Sequence, residues 1–304
     1  MARAADFAIR TQALTKRYGD VGALVDLDLE VAAGEVIGYL GPNGAGKTTT
    51  IRLLLGLIRP SSGRAEIFGV DCHRRPVEAH QRVAVVPGEA NLWPELTGAE
   101  TLHLLGQVHG KVDDAYRDEL IGRFELDPSK KVRAYSRGNR QKVLLIGALM
   151  SRADLLLLDE PTSGLDPLME QAFRVSVGEA RERGQTVFLS SHVLSEVEAL
   201  CDRVAILRQG RLVESGSLSE MRHLSAVTVE ATVAGEMPEL GGVSGLSSVA
   251  VEGKALRCQV HGPIEPLLTV LMQSGVASLL IREPSLEELF LALYGRNSDH
   301  AGEH

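Results

Sequence analysis

The order of hydrophobic and polar residues predicts that the chain begins with β-strands. Within the first 40 residues apolar and polar positions alternate, as in "FAIRTQAL" and "LVDLDLEVAAGEVIGYL", which is the period of half-buried strands. Gly19, Asp20 and Gly34 are turn residues that separate these segments. The pattern therefore predicts strands joined by turns.

The middle of the chain predicts helices, and buried strands follow it. After the glycine-rich loop that ends "EVIGYL", the segment "TTTIRLLLGLI" has apolar residues at helical spacing at Ile51, Leu54, Leu55 and Ile58. Between about residues 89 and 152 the helical segments are "GAETLHLLGQVHG", "DDAYRDELIGRFEL" and "GNRQKVLLIGALM". Strands return as "LLLLDE", "TVFLSS" and "RVAILRQG", with helical stretches between them, which predicts a parallel sheet with crossover helices.

A domain boundary is predicted near residue 220. Beyond it, "VTVEATVAG", "KALRCQVHG" and "ASLLIRE" read as strands, whereas "EPLLTVLMQSG" and "SLEELFLALYG" read as helices. We therefore expect a first domain at 1–220, a small α+β domain at 221–295 and a polar tail at 296–304.

Composition narrows the functional classes. The net charge of -8 argues against a general nucleic-acid binder, because phosphate neutralisation needs clustered Lys and Arg. The three cysteines are far apart and form no CxxC pair, so we expect free thiols in a reducing compartment. No signal peptide is visible, and the longest apolar run, "VLLIGALM", is far shorter than the roughly 20 residues of a membrane span.

The segment "GPNGAGKT" fits the phosphate-loop pattern G-x-x-x-x-G-K-[ST] and lies between a predicted strand and a predicted helix. Its glycines allow backbone N–H groups to turn towards phosphate oxygens, and the helix adds the positive end of its dipole. Lys47 would reach the outer phosphates and Thr48 would bind Mg²⁺. The candidate nucleotide-binding residues here are Gly41, Pro42, Asn43, Gly44, Ala45, Gly46, Lys47, Thr48 and Thr49.

The second chemical signal is "LLLLDEP", in which a buried strand delivers two carboxylates to its carboxyl end. Asp159 would hold hydrated Mg²⁺, and Glu160 would orient and deprotonate water. The alternative interpretation is an ordinary turn with two acidic residues.

Together with "DEPTSGLDP" and "SSH", these motifs resemble the ATP-binding subunit of an ABC transporter over residues 7–220. The resemblance implies an α/β fold: a P-loop NTPase core of ABC ATPase type, an N-terminal antiparallel β-subdomain, an inserted helical subdomain at about 89–152 and the small C-terminal α+β domain. It implies ATP and Mg²⁺ as cofactors.

In that family a five-residue signature, usually L-S-G-G-Q, binds the γ-phosphate of ATP held on the partner subunit. The aligned residues that would do so here are Ser136, Arg137, Gly138 and Asn139. Arg137 replaces a glycine and would bring a positive charge near the phosphates. The alternative is that Ser136 is only a helix N-cap.

The resemblance assigns further residues. Tyr18 would stack on adenine, Asp166 would lie in the loop that crosses the dimer interface, and His192 would contact the γ-phosphate and the attacking water. The corresponding alternatives are a surface tyrosine for Tyr18 and a structural histidine for His192.

One position departs from the family pattern. Where a glutamine usually binds Mg²⁺, this chain has Gly88, and Glu89 beside it is a candidate replacement ligand. The "PGE" and "SRGN" variants resemble exporters whose membrane subunits are separate chains, including antibiotic-efflux systems.

The predicted function is therefore an ATPase that forms a head-to-tail homodimer around two ATP and drives separate permease subunits at the cytoplasmic face of the membrane. The permease contact is expected near "NLWPELTG" and the cargo to be a drug, an antibiotic or a lipid-like compound. Two alternatives stay open from the sequence: a soluble ABC ATPase of translation or repair, and a regulatory subunit with little hydrolysis.

Overall fold

The computed structural model describes residues 7–109, 113–223 and 226–288. Contacts divide the chain into two compact units with the boundary between Gly216 and Ser217. The described strands are Phe7–Tyr18 (β1), Val21–Ala32 (β2), Val36–Leu40 (β3), Ser62–Ile67 (β4), Val70–Asp71 (β5), Val83–Val86 (β6), Leu155–Asp159 (β7), Thr186–Ser191 (β8), Arg203–Arg208 (β9), Arg211–Ser217 (β10), Val227–Val233 (β11), Leu246–Glu252 (β12), Ala255–Val260 (β13) and Val276–Arg282 (β14). The helices are Lys47–Leu54 (α1), Pro76–His80 (α2), Gly98–His109 (α3), Asp114–Arg123 (α4), Arg137–Met150 (α5), Pro167–Glu182 (α6), Leu194–Leu200 (α7), Leu218–His223 (α8) and Glu265–Gln273 (α9).

The first sheet is antiparallel with strand order β2-β1-β4-β5. Its alternating sequence explains its two faces: along β2, Leu27, Leu29 and Val31 are buried while the residues between them are exposed. Gly19 has a φ of 58° in the turn between β1 and β2. The predicted N-terminal antiparallel β-subdomain is confirmed.

The second sheet has the order β10-β9-β3-β8-β7-β6 and places the loops that carry the chemistry side by side. β3, β7 and β8 are buried along their whole length, and apart from Tyr39 and Asp159 their residues are apolar or small. Their parallel register pairs Leu40 with Ser191 and Asp159 with Ser190. The carboxyl ends of these three strands therefore meet at one edge of the sheet.

The helix after the glycine-rich loop is shorter than the apolar spacing predicted. α1 ends at Leu54, Leu55 is its C-cap, and Ile58 lies beyond it. The cause is Gly56, whose φ is 59° and where a Cβ would lie 2.6 Å from the carbonyl oxygen of Cys72. A left-handed turn this close to neighbouring backbone ends the helix.

The three helices predicted between about 89 and 152 are present as α3, α4 and α5. α5 packs on α3 so closely that a Cβ at Gly147 would lie 2.6 Å from Leu105 Cδ1. A short 3₁₀ turn, Val132–Ala134, leads into α5.

The second unit contains an antiparallel sheet of order β12-β13-β11-β14 together with α9. Leu267 and Leu271 of α9 share a core with Val229 and Leu256 of the sheet. Sequence reasoning missed β12 because "LSSVAVE" follows a stretch rich in glycine and serine and its residues are mostly exposed. The predicted last helix and polar tail fall mainly outside the described residues.

All three cysteines, Cys72, Cys201 and Cys258, are buried free thiols. Within the described residues, no helix combines the length and the apolar character that crossing a membrane requires.

Candidate active site

The loop between β3 and α1 has the backbone shape that its glycines allow. Gly44 and Gly46 have φ values of 80° and 112°, in the region that other residues rarely adopt. At Gly41 and Gly46 a Cβ would also lie 2.6 Å from a carbonyl oxygen, of Leu207 and Ala23 respectively. The loop is therefore packed so that only glycine fits at both ends.

Lys47 lies at the start of α1 and is almost completely buried, with 5% of its surface exposed. Its Nζ donates to the carbonyl oxygens of Gly41 at 2.7 Å and Pro42 at 3.3 Å, and lies 3.7 Å from Glu160 Oε1. Burial lowers the pKa of Lys47, and the nearby Glu160 and Asp159 carboxylates oppose that shift. The ammonium group is thus held at the loop, as contact with a polyphosphate requires.

Asp159, the last residue of β7, is held by two hydroxyls from different parts of the chain. Thr48 Oγ1 donates to its Oδ2 at 2.9 Å, and Ser190 Oγ donates to its Oδ1 at 2.5 Å. Ser190 is fully buried in β8, and sequence reasoning gave it no role. The available signal was a polar residue at the end of the otherwise apolar strand "TVFLSS".

Glu160 has a left-handed backbone, with a φ of 49°. Its N–H donates to Ser190 at both the carbonyl oxygen, 3.0 Å, and Oγ, 3.2 Å. Its Oε1 lies 3.3 Å from His192 Nδ1, in addition to the contact with Lys47. The carboxylate therefore lies between a buried cation and a half-exposed imidazole, where it can accept a proton from water.

The oxygen atoms around Asp159 fit a magnesium ion. A threonine hydroxyl and one carboxylate are a usual protein contribution to Mg²⁺, whose other ligands are phosphates and waters. In the part of the chain that the structure describes, no group of three or more His, Cys, Asp or Glu residues is placed to hold a metal. A Cβ at Gly88 would lie 3.4 Å from Asp159 Oδ2, so this position is beside the site.

The structure leaves the role predicted for Glu89 without a supporting contact. Glu89 is exposed, and no hydrogen bond or ion pair between the described residues joins its side chain to Thr48 or Asp159. Its service as a metal ligand stays a prediction.

The residues "SRGN" form the start of α5 and pack on the loop after β7. Ser136 is the N-cap of α5 and its Oγ accepts from Asn139 N at 3.2 Å. Arg137 Nη2 donates to Ser163 Oγ at 2.8 Å. A Cβ at Gly138 would lie 2.6 Å from the carbonyl oxygen of Gly164, so the two backbones are in close contact.

Tyr18 and Asp166 lie where ligands or partner chains can reach them. Tyr18 is 51% exposed, and Lys16 Nζ lies 4.9 Å from the centre of its ring. Asp166 is exposed and is the N-cap of α6, accepting from the N–H groups of Leu168 and Met169. Neither side chain has a described contact with Lys47 or Glu160.

The glycine loop, the buried lysine, the hydroxyl–carboxylate pair and the glutamate–histidine pair lie at one edge of a parallel sheet. This fold and this site define a P-loop nucleotide hydrolase.

Comparison with known proteins gives the family. A family model described as ABC transporter matches residues 24–163. The daunorubicin resistance ATP-binding protein DrrA3 of Streptomyces coeruleorubidus is 37% identical, over 96% of this chain and 97% of that protein. A Nod factor export ATP-binding protein I of Cupriavidus pinatubonensis is 35% identical over 92% of this chain and 89% of that protein. The bacitracin transport ATP-binding protein BcrA of Bacillus licheniformis is 39% identical over 68% of each chain. The chain belongs to the ABC transporter family and is one of its ATP-hydrolysing, ATP-binding subunits.

Solved structures agree with this assignment. The ATP-binding subunit of an ABC transporter superposes with a TM-score of 0.67 at 32% identity, covering 71% of this chain and 92% of that one. A dimeric ATP-binding cassette bound to ADP and phosphate shares the fold, with a TM-score of 0.63 at 23% identity over 69% of this chain and 98% of that one. The fold class predicted from the sequence is confirmed.

Proposed function

We propose that this ATPase powers export of a drug, an antibiotic or a lipid-like compound through separate membrane subunits, from the cytoplasmic face of the membrane. The Nod factor export relative supports the direction of transport, and the daunorubicin resistance and bacitracin transport relatives support a drug or an antibiotic as the cargo. The observation that carries the hydrolytic part is the chain of contacts from Lys47 through Glu160 to His192.

In this proposal Glu160 is the general base, and Lys47 and His192 position the phosphates and the water around it. Lys47 neutralises the outer phosphates, and His192 holds the attacking water and the γ-phosphate in line. Thr48 and Asp159 would hold Mg²⁺, which offsets phosphate charge when bound. The position of Glu160 Oε1, 3.7 Å from Lys47 Nζ and 3.3 Å from His192 Nδ1, supports this role.

We further propose that two copies face head to tail, each supplying the "SRGN" segment to the ATP of the other. Ser136 Oγ is exposed, and its described partner is a backbone N–H of its own helix. The Ser136 hydroxyl and the helix N-terminus are thus accessible to an anion from outside the chain. Tyr18 would stack on adenine and Asp166 would lie at the dimer contact. The membrane subunits would bind near Trp93, which is 49% exposed.

The experiment that tests the proposal is the substitution Glu160→Gln in the full chain. The amide keeps the shape but accepts no proton, so we expect phosphate release to fall by roughly a hundredfold or more while ATP binding persists. Because the bridging phosphates then stay intact, the variant should run as a dimer on size exclusion in saturating ATP–Mg²⁺.

The matched control is Glu182→Gln, an exposed residue at the end of α6, which should behave as the wild type. A Glu160→Gln protein that stays monomeric in saturating ATP would contradict the dimer, and one that hydrolyses ATP normally would contradict the role of the base.

A further inference from the structure

Glu196 is a buried carboxylate that the mechanism above does not use. It lies in α7 with 6% of its surface exposed. Its Oε2 accepts two hydrogen bonds, from Thr162 Oγ1 at 3.1 Å and from Ser191 Oγ at 3.0 Å. Its Oε1 is also buried and has no hydrogen-bond partner among the described residues.

The two hydroxyls come from the two loops that carry the reactive pair. Thr162 is two residues after Glu160, and Ser191 directly precedes His192. Ser191 Oγ also accepts from Val193 N at 2.9 Å, so the backbone around His192 is held to the same hydroxyl. One carboxylate oxygen of Glu196 therefore connects the segments that carry Glu160 and His192, whose side chains lie 3.3 Å apart.

The loop after Glu160 is also held from its other side. Gln141 Nε2 of α5 donates to the carbonyl oxygen of Pro161 at 2.8 Å, and Gln141 is 3% exposed. Pro161 and Thr162 are thus held between α5 and α7. Of the two contacts, the one between Thr162 and Glu196 is connected to His192, because Glu196 also accepts from the neighbouring Ser191.

Stability alone does not account for a carboxylate at this place. Burying a charged group costs free energy unless strong partners compensate, and here the described partners are two neutral hydroxyls. Burial raises the pKa of Glu196, although the hydrogen bonds from Ser191 and Thr162 oppose that shift. An apolar residue of similar size would cost less but would leave both hydroxyls without this acceptor.

We propose that Glu196 is a positioning residue for ATP hydrolysis, which holds the Thr162 and Ser191 segments so that Glu160 and His192 stay in contact. This inference rests on the proposed roles of Glu160 and His192.

The test compares two substitutions at one position. Glu196→Ala removes the acceptor, and we expect turnover at saturating ATP to fall by roughly tenfold to a hundredfold, as for small misplacements of reacting groups. ATP affinity, measured by calorimetry on the full chain, should stay within about twofold because Lys47 and its loop are not contacted. Glu196→Gln keeps an oxygen for both hydroxyls and should retain most of the turnover. Ser195→Ala, an exposed neighbour in α7, is the control.

A double variant separates positioning from general damage. If Glu196 acts through His192, adding Glu196→Ala to His192→Ala should lower turnover by less than about twofold further. Independent, multiplicative losses would overturn the proposal, and so would a Glu196→Gln protein as inactive as Glu196→Ala. Thermal unfolding shows whether Glu196→Ala folds. If it does not, Thr162→Val is the second variant, because it removes one of the two hydrogen bonds to Glu196 and should also lower turnover. Unchanged turnover in Thr162→Val would overturn the proposal.

The same variants distinguish a failure of the positioning role of Glu196 from a failure of the proposed role of Glu160. Loss of turnover in Glu160→Gln and His192→Ala together with normal turnover in Glu196→Ala would reject the positioning role alone. Normal turnover in Glu160→Gln would reject the proposed mechanism itself.

Discussion

At the scale of single residues, the site depends on backbone positions that few amino acids tolerate. Glu160 adopts a left-handed conformation, which costs a non-glycine residue about 1–3 kcal/mol and persists where its surroundings enforce it. The enforcing contacts are the two hydrogen bonds that its N–H makes with Ser190. Gly138 is a second such position. There a side chain is excluded by the carbonyl oxygen of Gly164 and not by an unusual φ.

We predict that Gly138→Ala separates the start of α5 from the loop at Gly164. The new methyl group would lie 2.6 Å from the carbonyl oxygen of Gly164. Because the methyl group is fixed to the α5 backbone and the oxygen belongs to the backbone of the loop, one of the two segments must move. We expect a loss of about 1–3 kcal/mol in the free energy of unfolding and a roughly tenfold or greater fall in ATP turnover. Urea unfolding and phosphate release measure the two effects.

Gly178→Ala provides the matched comparison. Gly178 lies in the middle of α6, and a Cβ there meets nothing within 4 Å. Alanine should therefore stabilise the protein by about 0.5–1 kcal/mol without changing turnover. Equal stability of the Gly138 and Gly178 variants would show that the contact with Gly164 is not restrictive.

At the scale of secondary-structure elements, α4 is attached to α6 by a polar cluster. Both terminal nitrogens of Arg123 donate to Glu179, at 2.9 Å and 2.6 Å, and one also donates to Ser176 Oγ at 2.9 Å. Tyr116 donates to the same carboxylate at 3.2 Å. This planar two-point contact connects the inserted helices to the helix that follows Asp166.

Replacing Glu179 with alanine should therefore destabilise the first unit by about 1.5–3 kcal/mol at neutral pH, because it leaves Arg123 without its main acceptor. The Arg123 guanidinium lowers the pKa of Glu179. The stabilisation is then fully present above the unfolded-state pKa of about 4.3 and is lost as the pH falls through the lower folded-state value. The difference in free energy of unfolding between wild type and variant, measured by urea unfolding, should shrink on acidification. As a control at neutral pH, Glu182→Ala at an exposed position should stay within about 0.5 kcal/mol of wild type.

The elements themselves were largely predictable, whereas the contacts between them were not. The apolar run before Asp159, the glycine loop before Lys47 and the helix after Ser136 follow from local pattern and spacing. The exact end of α1 depended on the packing of Gly56 against Cys72, which lies on a different segment. The roles of Ser190 and Glu196 depend on a strand register and a helix position that bring distant residues together. The polar end of the strand "TVFLSS" marks Ser190 as unusual but does not show that its partner is Asp159.

At the scale of the whole molecule, the chain consists of two units, each with its own buried core. The daunorubicin resistance protein matches 96% of the chain, whereas the superposed ATP-binding subunit covers 71%. The chain length beyond a single ATPase unit is therefore shared with the daunorubicin resistance protein.

The burial of every cysteine makes this chain convenient for chemical labelling. Maleimides react with the thiolate, and burial raises the pKa of Cys72 to about 12 and raises that of Cys201 as well. With Cys258 also only 1% exposed, the native thiols are shielded. A single cysteine engineered at the exposed Ser136 would then be the dominant attachment point for a fluorophore or a bifunctional linker, and the distance to a neighbouring copy becomes measurable without first removing the natural cysteines.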